Sequence, residues 1–494
     1  MEDDDHVFQR EQLEDERELT NEHYHDCDDI NEILLPTDII TLEEFHRIFS
    51  GTRFYFFNYN FMRWLSCIFN KSFTSIELQE DGSPAIEETQ YERIHKAINE
   101  LNKIDNPSAE GFTFRVTVAD IRNFMVIKVP RSDYRDNLYH EYFIGIWTLN
   151  KLRRLIPNFM FVYGIFNCSS VPVEGNVISK NYFCQRDQAY KGKVNYLMIE
   201  NIRGGKTLTY ILQNTVITPM SMLSYIYQIV GALNLALVEF DFTHYDLHTD
   251  NVLMRPIPYI GIRPQIVVPV IWLQKQLLYI ETDLIPTIID YGRSHIKINI
   301  NDEPNGSTDY GYYLNRPDIN PWQSNPAHDL YKLLGFMAYE LHIENRDRNL
   351  IIIIYNLMTF FPFVNSGISN ILQSGITKNL YRAFIEFLVM ERNSPFEIGN
   401  RWPELANINN LNFYNAFIVH ALSKYPGTLR LYTREQLPGN IRIFACSLDG
   451  DPNKANCSPS STYVNGRHAE ISNEEEENFF EEEEESNQMS SSEY

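Results

Sequence analysis

The sequence predicts an α+β fold of two lobes, a small β-rich lobe followed by a larger and mainly helical one, set between acidic, disordered ends. Three observations predict it. From Phe112 to Ile199, short alternating or wholly apolar stretches of strand length surround a single helical stretch. From Thr218 to about Leu431 the apolar residues recur mainly at helical spacing. The net charge of −24 sits almost wholly at the ends: residues 1–32 hold fourteen acids against Arg10 and Arg17, and residues 469–494 hold eleven acids and no Lys or Arg. The body, 33–468, is therefore close to neutral. A chain of 494 residues is long enough to bury a core in each lobe.

Residues 1–32 read as a solvated, self-repelling arm. Residues 33–107 read as a partly helical extension: Phe54–Asn70 is crowded with aromatic and aliphatic side chains, and Tyr91–Lys103 carries Ile94, Ala97, Ile98 and Leu101 at helical spacing. The small lobe and the connector after it occupy 108–203. Phe112, Phe114, Val116 and Val118 alternate as in a strand, Phe124–Val129 is a second strand, and Asp136–Leu155 is a helix with Leu138, Glu141, Gly145, Leu149 and Leu152 near one face. Phe159–Phe166 and Tyr196–Ile199 complete the strands. The large lobe spans 204–438. Within it, Leu350–Val364 is interrupted by Asn356, Thr359 and Pro362, too short and polar for a bilayer span, and reads as a buried helix. Residues 439–494 turn polar and then Glu-rich, a tail in which order fades.

A near-neutral body argues against nucleic acid and against an anionic membrane surface as partners, since both demand clustered positive charge. The six cysteines are scattered without C-x-x-C spacing, which suggests neither a zinc site nor a disulfide scaffold and fits a reducing, intracellular setting. The start, Met-Glu-Asp-Asp-Asp, is the opposite of a signal peptide's basic opening. A soluble protein is expected.

Two segments carry the chemistry. The first is His244-Tyr245-Asp246-Leu247-His248-Thr249-Asp250-Asn251; the second is Ile288-Ile289-Asp290-Tyr291-Gly292, at the end of an apolar strand. Upstream, Lys128 ends the apolar run Val126-Ile127-Lys128. Glu141 lies on the apolar stripe of the following helix, where an unpaired carboxylate is costly to bury.

These residues, in this order, resemble the protein kinase superfamily, and within it the divergent Ser/Thr protein kinases encoded by large DNA viruses. The resemblance covers about 110–430. It implies a two-lobed protein kinase-like fold and an ATP- and magnesium-dependent transfer of the γ-phosphate to a protein Ser or Thr hydroxyl. Lys128 and Glu141 would pair and position the nucleotide phosphates, Asp246 would be the base, and Asn251 and Asp290 the magnesium ligands. Tyr196–Gly205 looks like the connector of such kinases, with the backbone of Glu200 and Ile202 meeting adenine. Asp329, at the head of a helix with Tyr339-Glu340-Leu341 further on, would hold the backbone of the His244–Asn251 segment.

The departures are also specific. Tyr245 stands where an Arg is usual, and His248 where many Ser/Thr kinases carry a Lys beside the transferred phosphate; His248 would supply charge only when protonated. No G-x-G-x-x-G precedes Lys128, with only Gly111 nearby, and no Ala-Pro-Glu follows Asp290. The forty-four residues from Asp246 to Asp290 include Ile266–Ile271 and Gln276–Ile280, which read as an added strand pair. Asp-Leu-His-x-x-Asn is also common in small-molecule kinases of the aminoglycoside and choline phosphotransferase type, which keeps that alternative open. The absent Gly-rich loop keeps open a pseudokinase scaffold.

Overall fold

The computed structural model describes most of residues 98–361 and 410–433, with short pieces between 62 and 85 and at 442–443. The acidic arm 1–32 and the tail beyond 443 lie outside the described residues. Within them the protein is α+β, built from antiparallel sheets and helices.

The first sheet holds β1 (Ile98–Lys103), β2 (Gly111–Val118), β3 (Ile121–Pro130), β4 (Val162–Ser169), β5 (Val177–Ser179) and β6 (Lys193–Glu200), with helix α1 (Leu138–Ile144) between β3 and β4. The strand order is β4-β6-β3-β2-β1-β5, antiparallel throughout. β3 lies between β2 and β6. Phe124, Met125, Val126, Ile127 and Val129 are all buried, which is why its sequence reads as a continuous apolar run rather than an alternation.

Ile98–Lys103 is a strand, where the spacing of Ile98 and Leu101 predicts a helix. The register with β2 shifts between Ile98 and Glu100, so a bulge brings two residues three apart onto one buried face. A bulged strand thus copies the i, i+3 apolar spacing of a helix. The earlier residues Met62, Leu65 and Phe69 are buried; Phe69 meets Phe124 and Tyr163 edge-on, and the Ser66 hydroxyl donates to the Tyr163 carbonyl at 2.6 Å. These residues therefore pack against the sheet. Cys67 is disulfide-bonded, contrary to the cysteine pattern's suggestion, its partner lying outside the described side chains.

The chain passes from α1 into a π-turn, Gly145–Leu149, and a last α-turn, Asn150–Leu152. Its close approach to β4 explains the glycine: a Cβ on Gly145 would stand 2.3 Å from Val162 Cγ2. Asn150 locks the contact, donating to the Val162 carbonyl at 2.8 Å and accepting from the Val162 N–H at 2.9 Å.

After the connector come β7 (Lys206–Thr207), α2 (Leu208–Asn214) and α3 (Pro219–Phe240). Thr218 caps α3, its hydroxyl accepting from the Ser221 N–H, with Pro219 in the first turn. Asp241 ends it in the left-handed conformation at φ 48°. By length and apolarity α3 could cross a membrane, but nearly all of it is buried as the central core helix. β8 (Val252–Pro256) then leaves the His244–Asn251 segment. β9 (Ile266–Ile271) and β10 (Leu277–Thr282) form the added hairpin that the sequence predicts, and β11 (Leu284–Ile288) returns alongside β8. The hairpin β12 (His295–Asn299) and β13 (Ser307–Gly311) follows, then α4 (Pro326–Ile343), α5 (Arg348–Met358) and α6 (Phe413–Lys424). α5 is a helix where the Leu350 run predicts one, but it buries only one face, through Leu350, Ile353, Ile354, Leu357 and Met358, and leaves Ile352 exposed. β9 and β10 gain outer partners in β15 (Arg442–Ile443) and β14 (Leu431–Tyr432), respectively.

Candidate active site

Strand pairing brings the two segments together. In the antiparallel register of β8 and β11, Val252 faces Ile288, which sets Asn251, just before β8, beside the end of β11. The Ile289 N–H donates to the Asn251 carbonyl at 3.0 Å. The long excursion through β9 and β10 therefore costs the site nothing, because it leaves and re-enters on paired strands.

Lys128 joins the first sheet to this region. Its Nζ lies 2.7 Å from Glu141 Oε1 and 2.9 Å from Asp290 Oδ1. The register of α1 is thereby fixed: Glu141 turns to Lys128, while His140 turns to the Ser294 carbonyl at 2.8 Å. The two partners in the ion pair pull in opposite senses. Burial works against the charged amine, but Asp290 and Glu141 outweigh it and hold Lys128 protonated. Burial pushes the Glu141 carboxyl, 1% exposed, up to about 7, with Lys128 pulling it down and Asp290 adding to the rise. Burial would raise Asp290 too, but Lys128 prevails and holds it below the ordinary carboxylate range.

The His244–Asn251 segment is braced from three sides. Asp329, at the head of α4, accepts the His244 N–H at 2.6 Å and the Tyr245 N–H at 2.9 Å, one on each carboxylate oxygen. His244 Nδ1 accepts the Asp246 N–H at 3.2 Å, so Nε2 carries the proton and donates to the Ile289 carbonyl at 2.8 Å. Its role here is structural. Tyr245 and Asp290 hold left-handed backbone at φ 58° and 69°, strain that such bracing sustains. Tyr245 is buried rather than open to an added phosphate; its ring packs on His328 and its hydroxyl donates to the Gln323 carbonyl. Tyr291 is buried likewise, its hydroxyl reaching the Met160 and Ile288 carbonyls.

Asp246 is 17% exposed, with Lys332 Nζ 2.6 Å from Oδ1 and Arg293 Nη1 3.0 Å from Oδ2. Burial would raise its carboxyl, but Lys332 and Arg293 outweigh that and hold it far below the ordinary range. Asn251 donates from Nδ2 to the Asp246 carbonyl at 2.9 Å, which leaves its amide oxygen as the end able to face a cation. Asp290 spends Oδ1 on Lys128 and is 43% exposed. Two oxygens of this kind suit magnesium, which is ordinarily held by one or two side chains together with phosphate oxygens and water.

The other sequence candidates fall differently. The Glu200 side chain is buried between Arg255 Nη1, at 2.6 Å, and Arg153 Nη2, at 3.3 Å, and its backbone N–H is committed to the Phe161 carbonyl. Burial would lift its carboxyl; the two guanidinium groups hold it down. Ile202 follows in the connector, its carbonyl accepting from the Gly205 N–H. His248 Nδ1 accepts the Asp250 N–H at 3.3 Å, and its ring lies on Phe336; burial lowers its pKa, so the ring is neutral at pH 7. Gly111 answers a packing need, since a Cβ there would stand 2.5 Å from the Val129 carbonyl oxygen. Sequence reasoning missed Lys332, Arg293, Arg153 and Arg255. Lys332 alone had a signal, standing three residues after Asp329 and so on the same helix face.

No protein-family model matches the chain. It shows a distant similarity, 24% identity over 165 residues, to "Probable kinase 098L" of Invertebrate iridescent virus 3. That match spans 33% of this chain and 27% of the viral relative.

Proposed function

We propose that this chain is an ATP- and magnesium-dependent phosphotransferase that transfers the γ-phosphate to a Ser or Thr hydroxyl of a protein. The observation that carries the reading is the Lys128 bridge. One amine holds Glu141 from α1 and Asp290 from the end of β11, beside the segment that presents Asp246 and Asn251. A lysine held protonated at that junction would bind nucleotide phosphates, and Glu141 fixes where it points. The distant similarity to a viral protein named as a kinase supports the same class.

Magnesium, when bound by Asp290 and Asn251, would neutralise phosphate charge. Asp246 would hold the acceptor hydroxyl by a hydrogen bond and take its proton late, because Lys332 and Arg293 make it a weak base. Positioning and fixed charge supply most of the catalysis.

The test is transfer from γ-labelled ATP with magnesium, using casein and basic proteins against small alcohols and aminoglycosides. Asp246→Asn should lower kcat by about 10²–10⁴-fold with little change in KM for ATP. Equal incorporation by wild type and variant would remove the assignment. Labelling confined to the small molecules would move the acceptor to that class.

A further inference from the structure

Lys332 stands against Asp246, and its part in the chemistry outlined so far is confined to holding that carboxylate ionised. It lies in α4, one turn beyond Asp329, and side chains three apart on a helix share a face. Asp329 grips the backbone N–H groups of His244 and Tyr245. From the same face Lys332 lays its ammonium 2.6 Å from Asp246 Oδ1, with a longer 3.5 Å contact to the Tyr245 carbonyl. It is 14% exposed, placed at the edge of the site rather than sealed beneath it. His248 cannot do the same work. Its Nδ1 is engaged with the Asp250 N–H, and its ring lies 5.5 Å from that of Phe336, on the same helix as Lys332.

We infer that Lys332 is the cation that bonds the transferred phosphoryl group in the transition state, while also fixing Asp246. The inference rests on the phosphotransferase reading. An ammonium has three donors; Asp246 and the Tyr245 carbonyl use at most two, and one remains for a phosphoryl oxygen. In the transfer, the acceptor oxygen bonds to the γ-phosphorus as the bond from phosphorus to the β–γ bridging oxygen breaks. ADP leaves with that electron pair, the acceptor proton passes to Asp246, and negative charge spreads over the equatorial oxygens. Lys332 meets that charge from the Asp246 side.

The experiment compares wild type, Lys332→Met, Lys332→Arg and the double variant Lys332→Met/His248→Lys in ATP turnover to casein and to water. Melting temperature is also read with ADP and magnesium, with and without aluminium fluoride as a mimic of the transferring group. Lys332→Met should lower kcat by about 10²-fold or more while KM for ATP stays within about threefold. It should keep the ADP-induced rise in melting temperature but lose the extra rise given by aluminium fluoride. Lys332→Arg should retain most activity, and a lysine at 248 should restore kcat by about tenfold. A purely structural lysine would show neither the selective loss nor the rescue. Should Lys332→Met melt below the assay temperature, Lys332→Gln is read in its place. An active wild type with unimpaired kcat in the variant, or an intact aluminium fluoride response, overturns the role of Lys332 alone. A wild type that transfers phosphate to none of the protein or small-molecule acceptors, nor to water, overturns the phosphotransferase reading and this inference with it.

Discussion

Glu200 shows how one residue type serves two ends of the molecule. Its carboxylate closes β6 and is shared by Arg153, just after the α-turn Asn150–Leu152, and Arg255 on β8, so a single buried charge ties the first sheet to the strand that leaves Asn251. Such a group is expensive to strand: removing one partner of a buried ion pair ordinarily costs about 3–5 kcal/mol, since the remaining charges keep their desolvation penalty. Glu200→Ala should therefore destabilise by about that amount in urea unfolding, and Glu200→Gln by less, because the amide oxygen still accepts from a guanidinium. A loss below about 1 kcal/mol in the alanine variant would show that water reaches the pair. The sequence does not reveal this role. A Glu before a Gly-Gly turn reads as a connector residue, and its two arginines lie 47 and 55 positions away along the chain.

At the scale of elements, the helix carrying Glu141 is positioned by its glycine as much as by its ion pair. Gly145 lets α1 and its π-turn lie against Val162, and Asn150 bonds both backbone groups of the same residue. Gly145→Ala forces a methyl to 2.3 Å from Val162 Cγ2, an overpacking expected to cost about 1–3 kcal/mol and to displace Glu141 from Lys128. Val162→Ala removes the obstructing atoms, so the double variant should recover part of both stability and turnover. Additive losses in that double-mutant cycle would show that the helix is held elsewhere. What was legible in the sequence follows the same division. Lys128, Glu141, Asp246, Asn251 and Asp290 sit in local patterns, a strand end, a helix stripe and two tight segments, and the fold brings them into one place. β1 departs from the helix its spacing predicts because a bulge gives a strand the spacing of a helix. The cations around Asp246 come from separate elements, α4 and the turn after Asp290, which no local pattern joins.

For the whole molecule, the near-neutral body leaves local pairs, rather than general repulsion, to set the response to pH. Asp246, Asp290 and Glu200 are each held below their ordinary range by cations in the folded state. Unfolded, they return to about 3.9 for Asp and about 4.3 for Glu. Below those values the unfolded chain binds more protons than the folded one, so their stabilisation is complete above about pH 4 and is lost as pH falls further. Glu141 acts with the opposite sign. Burial raises it to about 7, so between that pH and its unfolded value the folded state binds the extra proton, and stability rises as pH falls. Together these groups predict a stability maximum near about pH 5, a shallow decline towards neutrality and a steep one below about pH 4. Urea midpoints measured from pH 3 to 8 trace the curve. Glu141→Gln should flatten the decline from pH 5 to 7, and Asp246→Asn should soften the acid limb, each leaving the other limb in place. A wild-type midpoint that climbs steadily from pH 4 to 8 would mean that Lys128 keeps Glu141 ionised throughout, so that the Lys128–Glu141 pair contributes full charge to the site at every pH at which the protein is folded.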